Sequence, residues 1–369
     1  MTNARPFYVK FACVLFCVIV LGYLAILGKE LLSPLFFAGL FSILLLPLAG
    51  WLERKCHLSR RMASVLSVLL LLSGITAIFY VVGDQINSLV GEWPAFKDQL
   101  NSSLGDLQKW ISTTLHINLD TQMSYLNTAS GRLLNSGTGM IGSTLLTVSG
   151  MIFFILFTFL YSIFFLLYRR LIMRFFIAAF RNNNKFLVQE IIEEGQTIIR
   201  KYILGLFIEM AVVSFVLCIA FSILGIRYAI LLGLLGGLFN LIPYIGIFTA
   251  LLVSVLITFA AAAAGKVLLV VIVLVSTHLV DSNVLFPWIV GSKVRINAMA
   301  MIGGVVVGGL IWGIAGMFLS IPVMAVLKII FDKIESLKYL GILVGADEKN
   351  PLPAAIKLSE NLNEPGNQK

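Results

Sequence analysis

Long apolar runs separated by short polar segments characterise the N-terminal part of the chain. Residues 11–28, 31–52 and 62–83 contain no charged side chain. A helix needs about 20 apolar residues to cross the roughly 30 Å hydrocarbon core of a bilayer. The pattern therefore predicts three membrane-spanning helices in a first domain, residues 1–83.

The first apolar run has an alternative interpretation. Arg5 and Lys10 precede it, as positive charges precede the apolar region of a secretory signal peptide. No small-x-small cleavage motif stands before Lys29, however. The sequence favours an uncleaved first span.

The pattern changes at residues 84–148, where Ser, Asn, Thr and Gly become frequent. Apolar residues such as Leu89, Trp93, Phe96 and Leu100 recur there at helical spacing. A helix with one apolar face and one polar face is typical of an element that packs on a surface. We expect an amphipathic helical insert here and not a membrane span.

A fourth span is predicted at residues 149–168. Residues 169–201 then carry seven basic and three acidic side chains, with apolar residues at helical spacing between them. Such a composition favours an amphipathic segment lying along the membrane surface. A fifth span, residues 202–226, contains one acidic residue, Glu209.

The charge-free run at residues 228–265 is too long for one crossing. As a single straight helix it would measure about 57 Å at 1.5 Å per residue, nearly twice the hydrocarbon core. Pro243 removes a backbone donor, and Gly246 permits backbone conformations closed to other residues. The sequence predicts a break there, which gives either a re-entrant hairpin or two separate spans.

A second overlong apolar run occupies residues 296–327 and contains Gly313 and Pro322. Residues 267–292, which lie between the two runs, predict a conventional span with one charged residue, Asp281. The chain therefore has about eight transmembrane segments, or six spans and two re-entrant hairpins. Paired interrupted segments mark the substrate pathway in secondary transporters. Proline-kinked, glycine-packed helices are the alternative.

The distribution of basic residues predicts the orientation. Short loops rich in Lys and Arg remain in the cytoplasm, and residues 53–61 and 169–201 are such segments. The insert at 84–148, with five acids and three bases, is then external. Both termini are cytoplasmic, with a membrane domain at 202–330 and a partly disordered tail at 331–369.

Composition agrees with a membrane protein and excludes several functions. Hydrophobic residues make up 59% of the chain and charged residues 12%, and the mean hydropathy is +0.98. A soluble protein carries about 25% charged residues. The net charge of +9 lies in loops between apolar runs, which argues for membrane topology and against nucleic-acid binding.

Recognisable catalytic or cofactor motifs are missing from the sequence. The four cysteines form no C-x-x-C, the three histidines are scattered, and no phosphate-binding Gly-x-x-x-x-Gly-Lys-Ser/Thr occurs. We therefore expect no enzyme activity, no metal and no cofactor.

Three segments of the C-terminal half form recognisable motifs: residues 233–246 (GLLGGLFNLIPYIG), 281–291 (DSNVLFPWIVG) and 313–322 (GIAGMFLSIP). They resemble the AI-2E (autoinducer-2 exporter) family of transporters. The chain differs at Asn297-Ala298, where the family commonly has His-Pro. The resemblance implies a bacterial inner-membrane permease that exports a small solute or exchanges Na⁺ or Li⁺ for protons. It also implies a homo-oligomer.

Asp281 is the leading candidate for chemistry inside the membrane. A carboxylate at membrane depth costs a few kcal/mol, so it usually faces a partner or a cavity and marks an ion or proton route. His278 shares its helical face at i, i+3. A purely structural interhelical contact remains the alternative, and Glu209 is either a second coupling residue or a packing partner for Arg227 or Lys266. The predicted pathway residues are Asp281, Asn283, His278, Asn240, Pro243, Tyr244, Gly246 and Glu209.

Two other functions stay open at the level of the sequence. One is a channel-like or regulatory membrane oligomer without coupled transport. The other is a scaffold whose external insert binds a partner, although a scaffold has no need of a carboxylate beside broken helices. With each of these functions, the protein is surrounded by the lipid bilayer, which is therefore one of its partners.

Overall fold

The computed structural model describes residues 7–91, 98, 102, 105, 149–179, 185–242, 245–261, 264–289 and 296–346. Nearly all of these residues are helical, and the one β-bridge among them joins Ile296 to Gly345. The structure confirms the prediction of an all-α polytopic membrane protein. Most of the predicted external insert lies outside the described residues.

The N-terminal helices follow the apolar runs. They are α1 (Phe7–Leu27), α2 (Lys29–Lys55), α3 (Arg60–Gly91) and α4 (Ser149–Leu167). Gly28 separates α1 from α2, and a Cβ at this glycine would lie 2.9 Å from the Leu32 side chain. The two helices can therefore meet closely at a turn of one residue.

A short helix and a very long one follow α4. The short helix is α5 (Arg169–Ala179), and the long one is α6 (Lys185–Ile223). At 1.5 Å per residue, the 39 residues of α6 measure about 58 Å. One continuous helix thus contains both the second half of the predicted surface segment and the predicted fifth span.

The first overlong run folds into two helices, α7 (Ala229–Phe239) and α8 (Ile245–Ala261). The break between them falls at the predicted position. After α8 the chain continues as α9 (Ala264–Val280), a π-helical turn (Asp281–Leu285) and a last α-helical turn (Phe286–Ile289).

Helices α7 and α8 form a hairpin whose two ends lie together. The Lys266 Nζ, at the start of α9, donates a hydrogen bond to the Gly225 carbonyl oxygen, just before α7. Both α6 and α8 pack against α7, and α8 packs against α9. The hairpin therefore enters and leaves at the same end of α6.

The second overlong run folds into α10 (Ala298–Trp312) and α11 (Ile314–Lys333). Gly313 joins them with φ +64°, a conformation that glycine adopts without steric cost. A 3₁₀ turn (Glu335–Leu337) and the short α12 (Lys338–Val344) complete the described chain.

Glycines line the contact between α10 and α11. A Cβ at Gly308 would lie 2.8 Å from the carbonyl carbon of Gly316, and a Cβ at Gly304 would lie 3.1 Å from the Met324 side chain. The pair nearer to Gly313 in α10 is also the nearer pair in α11, which makes α10 and α11 an antiparallel hairpin. Small residues permit this backbone approach, as in other membrane helix pairs.

Among the described residues, six helices are long and apolar enough to cross a membrane. The helices α7, α8 and α10 and the apolar part of α1 are shorter. The six are Lys29–Lys55, Arg60–Gly91, Ser149–Leu167, Lys185–Ile223, Gly265–Ile289 and Ile314–Lys333.

Helix α6 holds the core together because it belongs to two buried clusters. Tyr202, Ile203 and Leu206 of α6 pack with residues of α2 and α11. About two to five turns further along α6, Val213, Leu217 and Phe221 pack with α7 and α9. Each of the two hairpins is thus anchored to a different part of the same long helix.

Candidate functional site

Two acidic side chains are deeply buried near the middle of the helical assembly. Glu209 of α6 is 3% exposed, and Asp281, the first residue of the π-helical turn, is 4% exposed. An ionised carboxylate moved away from water costs several kcal/mol unless it finds a partner. Their burial therefore makes this place the leading candidate for the functional site.

Asn240, at the C-terminal end of α7, joins the two carboxyl groups. Its Nδ2 donates one hydrogen bond to Glu209 Oε1 at 3.1 Å and another to Asp281 Oδ2 at 3.0 Å. The three residues come from α6, the α7–α8 break and the end of α9. We call Glu209, Asn240 and Asp281 the carboxylate cluster.

Half of the four carboxylate oxygens in the cluster have no hydrogen-bond partner among the described residues. Glu209 Oε2 and Asp281 Oδ1 are buried and receive no hydrogen bond within the described part of the chain. A buried polar atom without a partner costs about 1–3 kcal/mol. The arrangement therefore suits a positively charged ligand or a proton at these two oxygens.

The backbone at the α7–α8 break explains how Asn240 reaches the cluster. Helix α7 ends in tight turns, with Leu241 N donating to Leu238 O at 3.3 Å and Ile242 N donating to Phe239 O at 3.0 Å. Gly246 lies so close to this end that a Cβ would be 2.6 Å from the Phe239 carbonyl carbon. The glycine lets α8 begin directly beside the end of α7.

Glycines of α7 determine how closely the hairpin packs against α6. A Cβ at Gly233 would lie 2.6 Å from Cys218 N, and one at Gly237 would lie 2.7 Å from the Met210 carbonyl oxygen. Only a helix without side chains on this face can approach so closely. The approach brings Asn240, one turn beyond Gly237, level with Glu209.

Asp281 stands where the helical repeat changes. The chain turns from α-helical to π-helical at this residue and returns to α-helix at Phe286. A π-helical turn contains one extra residue per hydrogen-bonded ring, and such turns are frequent at functional sites. Asp281 is buried, whereas Ser282 and Asn283, which follow it in the same turn, are exposed.

A pocket adjoins the cluster. It is small, with a cavity volume of about 20 Å³, and it is partly open to the surroundings. Asn240 and Asp281 contribute polar atoms to its wall, and Thr277 and His278 lie beside them on α9. The remaining lining residues are apolar or glycine: Val213, Leu217, Gly236, Ile247, Ala250 and Leu274.

The structure brings most of the predicted pathway residues together, with one exception among those it describes. His278 is half-buried and lines the pocket, and Gly246 lies at the break. Asn283 is exposed and donates to the Leu279 carbonyl oxygen of its own helix at 2.8 Å. Pro243 and Tyr244 lie outside the described residues.

Sequence reasoning missed two features of this site. The direct link between Glu209 and Asp281 through Asn240 was not foreseen, since the three residues are 31 and 41 positions apart along the chain. Thr277 also escaped notice, although its position directly before His278 places it beside a predicted residue. Lys266, considered as a partner for Glu209, instead hydrogen-bonds the Gly225 carbonyl.

Among the described residues, no group of three or more His, Cys, Asp or Glu side chains is placed to hold a metal ion. The cluster has only two carboxyl groups and one amide. Such a set suits a proton or a weakly held monovalent cation better than a transition metal, which favours imidazole and thiolate ligands.

Comparison with known proteins identifies the family. Residues 15–336 match the profile described as "AI-2E family transporter". The chain belongs to the AI-2E transporter family. The match covers both hairpins and the carboxylate cluster, and it makes the protein a multi-pass membrane transport protein.

Several relatives extend over most of the chain. "Putative transport protein YueF" of Bacillus subtilis is 26% identical over 82% of this chain and 84% of its own length. "Putative transport protein YhhT" of Escherichia coli K12 is 23% identical over 88% of this chain and 91% of its own length. "Putative transport protein YrrI" of Bacillus subtilis is more similar, at 33%, but over only 35% of this chain and 36% of its own length.

Proposed function

We propose that this AI-2E transporter is a gradient-coupled permease whose coupling ion, a proton or Na⁺ or Li⁺, binds at the carboxylate cluster. The ion drives movement of a small solute or is itself exchanged for protons. The observation that carries the proposal is the buried pair Glu209 and Asp281, each with one buried oxygen that receives no hydrogen bond from the described residues.

Charge balance supports the proposal. With both carboxyl groups ionised, the cluster would hold two negative charges and a neutral amide among apolar side chains. Like charges in a medium of low dielectric repel strongly, and a buried charge needs a counter-charge. One bound proton or monovalent cation halves the net charge and supplies a partner for the free oxygens.

The position of the cluster supports a transport role and not only a structural one. Asn240 lies at the tip of the α7–α8 hairpin, and the break in the chain borders the pocket. Irregular backbone at membrane depth is tolerated where it lines a cavity. A ligand bound by α6, α9 and the hairpin tip would therefore link its own binding to the position of the hairpin.

The cellular setting belongs to the same proposal. We place the protein in the bacterial inner membrane, with both termini in the cytoplasm and the 84–148 insert outside. The family resemblance supports a homo-oligomer. The basic segments at 53–61 and 169–201 support the orientation.

Proteoliposomes loaded with a pH-sensitive dye test the coupling. Purified protein is reconstituted, and NaCl, LiCl or KCl is added outside while internal pH is recorded. We expect NaCl or LiCl to move protons through the wild-type protein and KCl to do so much less. Glu209→Gln, which keeps the side-chain shape but removes the charge, should abolish the ion-driven change in a protein that still folds.

Two results would contradict exchange of Na⁺ or Li⁺ for protons at the carboxylate cluster. One is well-folded wild-type protein whose proton flux is the same with all three salts and without a salt gradient. The other is Glu209→Gln protein with wild-type ion-driven flux. A third result would instead support a channel. In that case ions leak down their gradient without any exchange, and they do so in Glu209→Gln protein as well.

A further inference from the structure

We propose that α5 is a binding site for anionic phospholipid, with Arg170 and Arg174 on the lipid phosphates. The inference does not depend on what the protein transports. It rests on the placement of basic and apolar side chains around a helix of 11 residues at the end of a membrane span.

Hydrogen bonds and an ion pair fix the direction of α5 relative to the end of α4. Hydrogen bonds continue across the bend between α4 and α5, with Tyr168 N donating to Phe164 O at 2.8 Å and Ile172 N donating to Tyr168 O at 3.0 Å. Arg169 then forms an ion pair with Glu53 of α2, in which the single nitrogen Nη2 lies 2.9 and 2.8 Å from the two carboxylate oxygens. This ion pair ties the start of α5 to α2.

The other two arginines of α5 point elsewhere. Arg170 and Arg174 are four residues apart, so they lie on the same edge of the helix, and both are exposed. Within the part of the chain that the structure describes, neither has an ion-pair or hydrogen-bond partner. Two guanidinium groups one turn apart can hold one phosphate between them or two neighbouring phosphates.

An exposed apolar edge adjoins the basic edge. Leu171 is 63% exposed and Phe175 is 65% exposed, and they too are four residues apart. The half-buried Ile172 and Met173 lie on the protein side. An interfacial helix needs this arrangement, with apolar side chains below the headgroups and basic side chains level with them.

Charge complementarity selects an anionic lipid as the occupant. The end of α4 that leads into α5 lies on the side that the basic loops assign to the cytoplasm. The cytoplasmic leaflet carries a negative surface potential that attracts juxtamembrane Lys and Arg. A zwitterionic lipid offers the same apolar depth but no net charge, so it should bind α5 less well.

Thermal unfolding of the purified full-length protein in an uncharged detergent tests the inference. Phosphatidylglycerol is titrated into the micelles, and its apparent affinity is read from the rise in Tm; phosphatidylcholine and inorganic phosphate are titrated in parallel. We expect the rise with phosphatidylglycerol alone. Arg170→Gln/Arg174→Gln should weaken the apparent affinity by at least about tenfold, which is what the loss of one hydrogen bond between an arginine and a charged phosphate costs.

Two further variants serve as controls. Lys55→Gln/Arg61→Gln removes the same charge from two exposed positions on the same predicted side, in the α2–α3 connection. It should keep an apparent affinity within about twofold of wild type, whereas a general surface-charge effect would lower both double variants alike. Arg170→Lys/Arg174→Lys keeps the charge and should retain most of the binding.

A depth measurement keeps the inference testable even if the glutamine variant folds poorly. A spin label on Phe175→Cys, in a protein without its native cysteines, should be more accessible to oxygen than to a water-soluble nickel complex. A label that is fully water-accessible would overturn the inference. So would equal phosphatidylglycerol affinity in both glutamine double variants, or an equal rise in Tm with inorganic phosphate.

Discussion

A single amide group links the two buried carboxyl groups of this protein. Asn240 uses both hydrogens of one nitrogen, one on Glu209 and one on Asp281. In this arrangement the amide occupies the position that a shared cation would take between two carboxylates. A coupling ion that enters the pocket would compete with the amide for these oxygens, and we expect the hairpin tip to respond.

Asp281→Asn separates the coupling role of Asp281 from a structural one. The variant keeps the side-chain shape but can no longer carry a charge or titrate. We expect normal yield and thermal stability, together with loss of ion-driven proton movement and of its pH dependence in the proteoliposome assay. The reason is that a neutral amide cannot exchange a proton or neutralise a cation.

Ser282→Ala is the matched control for that variant. Ser282 is the next residue of the same π-helical turn, is exposed, and hydrogen-bonds only within its own helix. Its flux should equal that of wild type. If Asp281→Asn protein folds and retains both the flux and its pH profile, Asp281 has no coupling role; a fall in yield and Tm with normal flux would make it structural.

At the scale of elements, both hairpins make close backbone contacts at glycine residues. The α7–α8 hairpin lies against α6 through Gly233 and Gly237, and the α10–α11 hairpin closes on itself through Gly308 and Gly316. In lipid there is no hydrophobic force between helices, so close backbone packing supplies much of the attraction. The glycines therefore determine how far apart the helices stand.

Gly308→Ala should destabilise the α10–α11 hairpin. The new Cβ would lie 2.8 Å from the carbonyl carbon of Gly316, which is backbone and cannot rotate away. Overpacking of this kind costs about 1–3 kcal/mol. Thermal unfolding in detergent micelles should show a lower Tm.

The same helix offers a control for this substitution. Gly303 also lies in α10, and a Cβ there would meet no atom within 4 Å. Gly303→Ala should leave the Tm unchanged or raise it, because alanine favours a helix over glycine by about 1 kcal/mol. Equal Tm values for the two alanine variants would show that the glycine contact does not hold the hairpin together.

At the scale of the whole molecule, the proposed orientation in the membrane rests on the basic loops. Cysteines introduced as Ser59→Cys and Ser102→Cys, in a background without native cysteines, report the two sides. An impermeant thiol reagent should label Ser102→Cys in intact cells and label Ser59→Cys only after lysis. The reverse pattern would overturn the proposed topology.

The location of the hairpin ends also bears on the topology. The α7–α8 hairpin enters and leaves beside Gly225 and Lys266, at the C-terminal end of α6. The α10–α11 hairpin has its tip near the end of α1, where the Trp312 Nε1 donates to the Ala25 carbonyl oxygen at 2.9 Å. Its base lies near the start of α6, where Lys333 pairs with Glu190 at 2.5 Å. The two hairpins therefore enter from opposite ends of the molecule.

The sequence alone determined the helical class, the apolar runs and the break after Asn240, because each depends on local chemistry. Twenty apolar residues form a helix in lipid, and a Pro and a Gly in a charge-free run interrupt it wherever it lies. The choice of Asp281 needed only its isolation among apolar residues. The motifs of three segments were enough to indicate the family.

Only the tertiary structure decided which residues meet. Glu209, Asn240 and Asp281 lie on three separate elements, and nothing local in the sequence fixes the distance between those elements. That distance depends on Gly233 and Gly237, whose missing side chains let α7 reach the depth of Glu209. Asn283 shows the limit of the sequence pattern, because its nearness to Asp281 along the chain did not place it in the pocket.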